Sequence, residues 1–320
     1  MNWTELDTWI VVTAMLTAMA CAIPGVFLLL NKQSMLGDAI SHAVLPGLAI
    51  AFLVSGTRDT LPMLIGAVSA GLLTGLLSGV IQRRGRVESG AALGVVFCGL
   101  FALGLVLIRT AANRVDLDPS CVLYGSLELA VIDVRTPPRI VWQSAGALAL
   151  NLSLALFFFK ELRMAAFDGR FATANGFSDA ILKQGLTIIT AVTAVLAFES
   201  VGSILVIAML IVPGASALLI CRSVQGILAM ALVFACASAL LGHVLAISLA
   251  PLIIGKITNQ PEIGALSSPG MIAATAGLIF FILLALVNAV RSRNKEAASD
   301  AREGGSFSST PPILPVEWRP

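Results

Sequence analysis

Nine stretches of this chain, at roughly 9–30, 38–56, 61–82, 90–109, 139–159, 184–199, 201–221, 226–250 and 270–290, are apolar over lengths that leave the backbone few options. A hydrocarbon core about 30 Å thick offers no water to a peptide group, so a run of about 20 apolar residues crosses it as a helix with its backbone bonded internally. Composition agrees: 58% of the 320 residues are hydrophobic and 12% charged, against about 25% charged in an ordinary soluble domain. The alternating short strands of an outer-membrane barrel are missing, and a net charge of +2 provides no basic surface for nucleic acid. The expected fold is all-α, a polytopic transmembrane helical bundle of about 8–9 spans. Glu199 to Gly202 barely separates the sixth stretch from the seventh, so these read either as two spans or as one span plus a re-entrant segment. Segment 119–131 is too short to cross and reads as an interfacial or partly buried helix.

Lys32, Arg83, Arg84, Arg86, Lys160, Arg163, Arg170, Lys183, Arg222, Arg291, Arg293 and Lys295 fall on one side of this layout, and Arg58, Arg109, Arg114, Arg135, Arg139 and Lys256 on the other. Twelve cations against six place the first group in the cytoplasm, with the N-terminus outside and the C-terminus inside. Met1 to Asp7 carries no Lys or Arg and the first apolar run outlasts a signal peptide, so it reads as a retained span. Residues 1–290 form the expected transmembrane domain. Residues 291–320, polar and rich in Gly, Ser and Pro, form an expected disordered cytoplasmic tail. The cysteines show no CxxC or CxxH spacing and read as small core residues. Gly71, Gly75 and Gly79 place a smooth strip on one face of the third span, suited to close helix packing.

An ionisable side chain at the bilayer centre costs about 2.5–3.5 kcal/mol on insertion scales, so those that persist in spans are candidates for function. Four remain after span edges are set aside: Asp38, His42, Glu199 and His243. Asp38 and His42 stand four apart and share a helix face, where a carboxylate oxygen and an imidazole nitrogen can meet one cation. A self-neutralising hydrogen-bonded pair fits the same spacing. Pro46 cannot donate to the His42 carbonyl and Gly47 follows, so a kink is expected there; Pro213-Gly214 repeats the break in the second half. Paired broken helices in corresponding halves mark the midplane sites of transporters. For Glu199 a snorkelling carboxylate, and for His243 a buried neutral imidazole, are the competing readings. Oxygen and nitrogen donors without thiolate suit Mn²⁺, Fe²⁺ or Zn²⁺. There is no Walker A motif, so ATP hydrolysis, if it drives transport, belongs to another chain.

The run Ser34-Met35-Leu36-Gly37-Asp38-Ala39-Ile40-Ser41-His42-Ala43-Val44-Leu45-Pro46-Gly47 closely resembles the signature of the permease subunits of bacterial manganese, zinc and iron ABC importers, the ABC-3 family. The resemblance continues through Gly94–Gly104, Phe198–Leu210 and Gly242–Ile247 and covers about residues 9–290. It implies a multi-pass protein of the bacterial cytoplasmic membrane that lines the path of a divalent cation. It implies three partners: an ATP-binding subunit, a second permease subunit and an extracytoplasmic metal-binding protein. On that resemblance Asp38 and His42 are the metal-interacting pair, with Glu199 and His243 as further metal candidates. Phe167, Asp168, Arg170, Asn175 and Gly176 belong to the cytoplasmic segment that docks on the ATPase, where Asn175 is a small departure from the family's Leu-Gly. Mn²⁺, Zn²⁺ or Fe²⁺ is then cargo, with no cofactor held permanently and no enzymatic activity in the chain itself. A secondary metal transporter driven by a proton gradient is the alternative. An intramembrane hydrolase would need a helical pair such as HExxH, which the sequence lacks.

Overall fold

The computed structural model describes residues 3–56, 60–111, 127–131, 137–167, 169–249 and 267–303. The helices are α1 (Glu5–Leu30), α2 (Met35–Ser55), α3 (Thr60–Gly85), α4 (Ser89–Ala111), α5 (Leu127–Ala130) and α6 (Arg139–Phe157), followed by α7 (Phe159–Phe167), α8 (Gly169–Ala174), α9 (Asp179–Val201), α10 (Ser203–Ile220), α11 (Val224–Leu249) and α12 (Ser268–Glu303). Nine helices among the described residues are long and apolar enough to cross a bilayer. The chain is an all-α, multi-pass membrane protein.

Local chemistry sets the helix ends. Thr4 caps α1: its hydroxyl accepts from the Asp7 amide, and the Asp7 carboxylate accepts from the Thr4 amide at 2.8 Å. Gly56, at φ 67°, closes α2. The sixth and seventh apolar stretches are two separate helices, α9 and α10, divided at Gly202. Gly202 sits at φ 81°, a backbone conformation that only glycine adopts without strain.

The kinks expected at Pro46 and Pro213 do not break their helices. Both prolines lie inside continuous α2 and α10, as Pro24 lies inside α1. Each removes one backbone donor, and a packed membrane helix tolerates that loss where neighbouring groups bond the freed carbonyl. The break in the second half therefore falls at Gly202, eleven residues before Pro213.

Helix α1 is the most enclosed span and packs on α6, α9, α10 and α11. Helices α2, α3 and α4 pack on one another and join the remainder mainly through α9. At the α2–α3 crossing Gly47 faces Gly66, and a Cβ on either would strike the carbonyl oxygen of the other. The small-residue strip of α3 is used in part. Gly71 meets Ala191 and Gly75 meets Thr187, both on α9, whereas Gly79 faces open space.

Residues 127–131 are the described portion of the short segment, with Leu127–Ala130 helical and Leu127 and Val131 buried; residues 119–126 lie outside the described residues. Helix α12 runs to Glu303, so the boundary expected at 290 falls inside a helix; residues 304–320 lie outside the described residues. Cys21, Cys98, Cys221 and Cys236 are free thiols.

Candidate metal path

Helix α2 holds Asp38 in its first turn and His42 one turn later, so both side chains leave the same face. His42 Nε2 lies 3.5 Å from Asp38 Oδ1. The side chains are 24% and 41% exposed respectively, so the pair opens away from the core rather than into it. Helix α4 supplies a wall on one side. The Phe97 ring centroid is 5.0 Å from that of His42, tilted by 48°, and Phe101 meets the imidazole edge-on at 5.5 Å. His42 Nδ1 is buried and has no hydrogen-bond partner. A neutral imidazole carries one N–H and one lone pair. A neutral ring that directs its N–H from Nε2 toward the carboxylate keeps the lone pair on Nδ1, and a ring lone pair is what histidine offers a divalent cation. Pro46 has no N–H to donate to the His42 carbonyl, so that oxygen lacks its helical partner on the same turn as the imidazole.

His243 is placed in different company. Its ring is almost fully buried, Nδ1 is 3.2 Å from Ser268 Oγ, and Nε2 is 3.4 Å from Asp7 Oδ1. That last contact is close enough for electrostatic attraction, but Nε2 makes no hydrogen bond of good geometry. Trp3 meets the imidazole edge-on at 5.8 Å, and Glu128 Oε1 accepts from the Ser268 amide at 2.9 Å. These contacts tie the start of α1, the last turns of α11, the start of α12 and α5 together. Glu199 lies in the last turn of α9 beside the Gly202 break, and its side chain is outside the described residues. Among the described residues no three of His, Cys, Asp and Glu form a group able to hold a metal, so the structure brings Asp38 and His42 together without His243.

Between α6 and α9 the chain folds as two short helices and a turn. Phe167 ends α7 and is exposed. Arg170 lies on α8; Asp168 and the Arg170 side chain are outside the described residues. Asn175 and Gly176 close α8: the Phe177 amide donates to the Ala172 carbonyl at 3.0 Å and the Gly176 amide to the Thr173 carbonyl at 3.0 Å. With Gly176 at φ 89°, this is a Schellman cap, in which glycine occupies the left-handed position.

Sequence reasoning did not single out Phe97, Phe101, Asp7 or Ser268. Phe97 and Phe101 could have been found, since their four-residue spacing puts both rings on one face of α4. The contact of His243 with Asp7 and Ser268 joins residues far apart in the chain, with no local signal.

The family model described as the ABC 3 transport family matches residues 4–255. The manganese transport system membrane protein MntD of Bacillus subtilis (strain 168) is 37% identical over 245 residues, covering 75% of this chain and 83% of the relative. The zinc transport system membrane protein TroD of Treponema pallidum (strain Nichols) is 39% identical over 209 residues, 64% of this chain and 57% of its own. Among solved structures, PsaBC from Streptococcus pneumoniae in complex with Fab superposes with a TM-score of 0.69 at 29% identity, covering 88% of this chain and 91% of that one.

Proposed function

The chain belongs to the ABC 3 transport family, and we propose that it is the membrane-spanning permease subunit of an ATP-driven importer of Mn²⁺, Zn²⁺ or Fe²⁺. The observation that carries the reading is the Asp38–His42 pair, 3.5 Å apart on a half-exposed face of a membrane helix. An ionisable pair within a membrane-spanning helix faces a path or a second subunit and not lipid. Asp38 supplies charge and His42 a nitrogen donor, a mixed set suited to these metals. Glu199, one residue before Ser200 near the Gly202 break, is a further candidate on the route. His243, already engaged by Asp7 and Ser268, serves that route as a clasp rather than as a ligand.

The sequence holds no Walker A motif, so the reading requires an ATP-binding subunit, docked on α8 and the residues around Arg170, Asn175 and Gly176. A second permease subunit completes the path opposite Asp38 and His42, and an extracytoplasmic binding protein delivers the metal. The cation is cargo, and no cofactor stays bound.

Asp38→Asn and His42→Ala, assembled with the partner subunits in proteoliposomes, should each abolish ATP-dependent uptake of radioactive Mn²⁺ or Zn²⁺ while membrane insertion is unchanged. Wild-type uptake by both variants would refute the pair as the metal site. Uptake by the isolated chain, driven by a proton gradient without ATP, would refute the ATP-driven reading.

A further inference from the structure

We infer that the chain binds one anionic phospholipid of the cytoplasmic leaflet, its acyl chain in a cavity between α1, α6, α7 and α9 and its headgroup against Lys160 and Arg163. The cavity measures about 220 Å³. Ile23, Phe27, Ala155 and Leu186 form a buried floor, while Phe158 and Ile181 stand exposed at the mouth. Asn151 is the one polar side chain lining it. Its amide is already committed, donating to the Ala20 carbonyl and exchanging hydrogen bonds with Thr193, so nothing on the wall serves a water or a polar ligand. A dry recess that opens at the lipid-facing surface of a membrane protein is filled by hydrocarbon, and here that is an acyl chain.

Depth and charge select the lipid. Phe158 follows the last residue of α6, Ile181 lies in the first turn of α9, and Phe27 is in the last turn of α1, so the cavity lies at the end of the bundle that the Lys/Arg distribution assigns to the cytoplasm. Helix α7 carries Lys160 two residues beyond Phe158 and Arg163 next to the lining residue Leu162, and both cations are exposed. Glu161 is the single acid on α7 and is half-buried, and Lys183 on α9 is already engaged within the protein. Lys160 and Arg163 are the exposed cations among the described side chains of α7, and basic pockets between spans on this side recognise anionic headgroups. Gly185 helps to make the space, since a Cβ there would meet nothing within 4 Å.

The inference is independent of the metal reading, because these residues lie on α1, α6, α7 and α9 or between them, and Asp38 and His42 lie on α2. The full-length chain, purified in detergent with equimolar phosphatidylglycerol and phosphatidylcholine, should retain one phosphatidylglycerol per chain in native mass spectrometry. The preference should be about tenfold or more, as two juxtamembrane cations supply. Gly185→Leu fills the cavity into open space and should remove the retained lipid without lowering the melting temperature. The surface double variant Lys160→Gln/Arg163→Gln should retain both lipids equally. Equal retention of the two lipids by the wild-type chain, or unchanged phosphatidylglycerol retention in either variant, would overturn the site.

Discussion

The side-chain amide of Asn151 donates to the carbonyl oxygen of Ala20 at 2.8 Å, the carbonyl that Pro24 leaves without its helical partner. The proline thus creates a buried acceptor inside α1, and a residue of α6 satisfies it. Asn151 is held in turn by Thr193 of α9, whose hydroxyl donates either to Asn151 Oδ1 at 3.0 Å or to the Ile189 carbonyl at 2.8 Å. One polar cluster therefore locks three spans at a point where apolar packing alone would leave a carbonyl unbonded.

Asn151→Leu should destabilise the folded chain by about 1–2 kcal/mol, the range for buried interhelical hydrogen bonds in membranes. Pro24→Ala restores an N–H one turn after Ala20, so in that background the same substitution should cost about half as much. A double-mutant cycle of unfolding in bicelles measures this coupling, and simple additivity of the two substitutions would refute it.

Replacement of either glycine at the α2–α3 crossing should be far more costly than replacement of Gly79 on α3. A methyl group at Gly47 or Gly66 meets the opposing carbonyl, so Gly47→Ala or Gly66→Ala forces the helices apart at about 1–3 kcal/mol. Gly79→Ala meets open space and should be neutral or stabilising by up to about 1 kcal/mol. The yield of monodisperse protein after mild heating ranks the three, and a Gly79 variant as weak as the Gly47 variant would contradict the geometry.

What was legible in the sequence followed from forces that act locally. Apolar length fixes a span, so nine helices appear where nine runs were read, and a four-residue spacing fixes a face, so Asp38 meets His42. The continuity of α2 through Pro46 and of α10 through Pro213 is not legible locally, because a proline's sequence neighbours do not show which helices pack around it; at Pro24 the group that bonds the freed Ala20 carbonyl, Asn151, is likewise 131 residues away from Ala20. The crossing at Gly47 and Gly66 was equally hidden, since neither glycine belongs to a repeating strip and only the three-dimensional approach of α2 and α3 pairs them. Both histidines were legible as ionisable groups within spans, His42 with a partner four residues away and His243 without one; only tertiary structure reveals that His243 lies against Asp7 and Ser268, which separates their surroundings.

That separation is testable. His243→Ala leaves Asp7 and Ser268 facing a void and should lower stability by about 1–3 kcal/mol, while metal bound at Asp38 and His42 stays at the wild-type stoichiometry. His243→Asn keeps a polar atom near Ser268 and should recover part of the loss. Thermal unfolding read alongside metal content decides the matter: normal stability with reduced metal binding would return His243 to the metal path.

Gly176 gives the proposed docking segment a test of its own. Its φ of 89° lies where a Cβ crowds the following carbonyl, and the Schellman bonds to Ala172 and Thr173 require that conformation. Gly176→Ala should strain the turn by about 1–2 kcal/mol and fray α8, whereas Asn175→Leu leaves the glycine in place and should be tolerated. If α8 is the contact through which ATP hydrolysis drives the path, the Gly176 variant should lower metal-stimulated ATP hydrolysis in the assembled complex several-fold, with binding at Asp38 and His42 unchanged. Arg170→Glu should do the same through charge rather than backbone geometry. Full ATPase stimulation in both variants would show that the partner docks elsewhere, because a frayed and charge-reversed helix cannot present the same rigid surface.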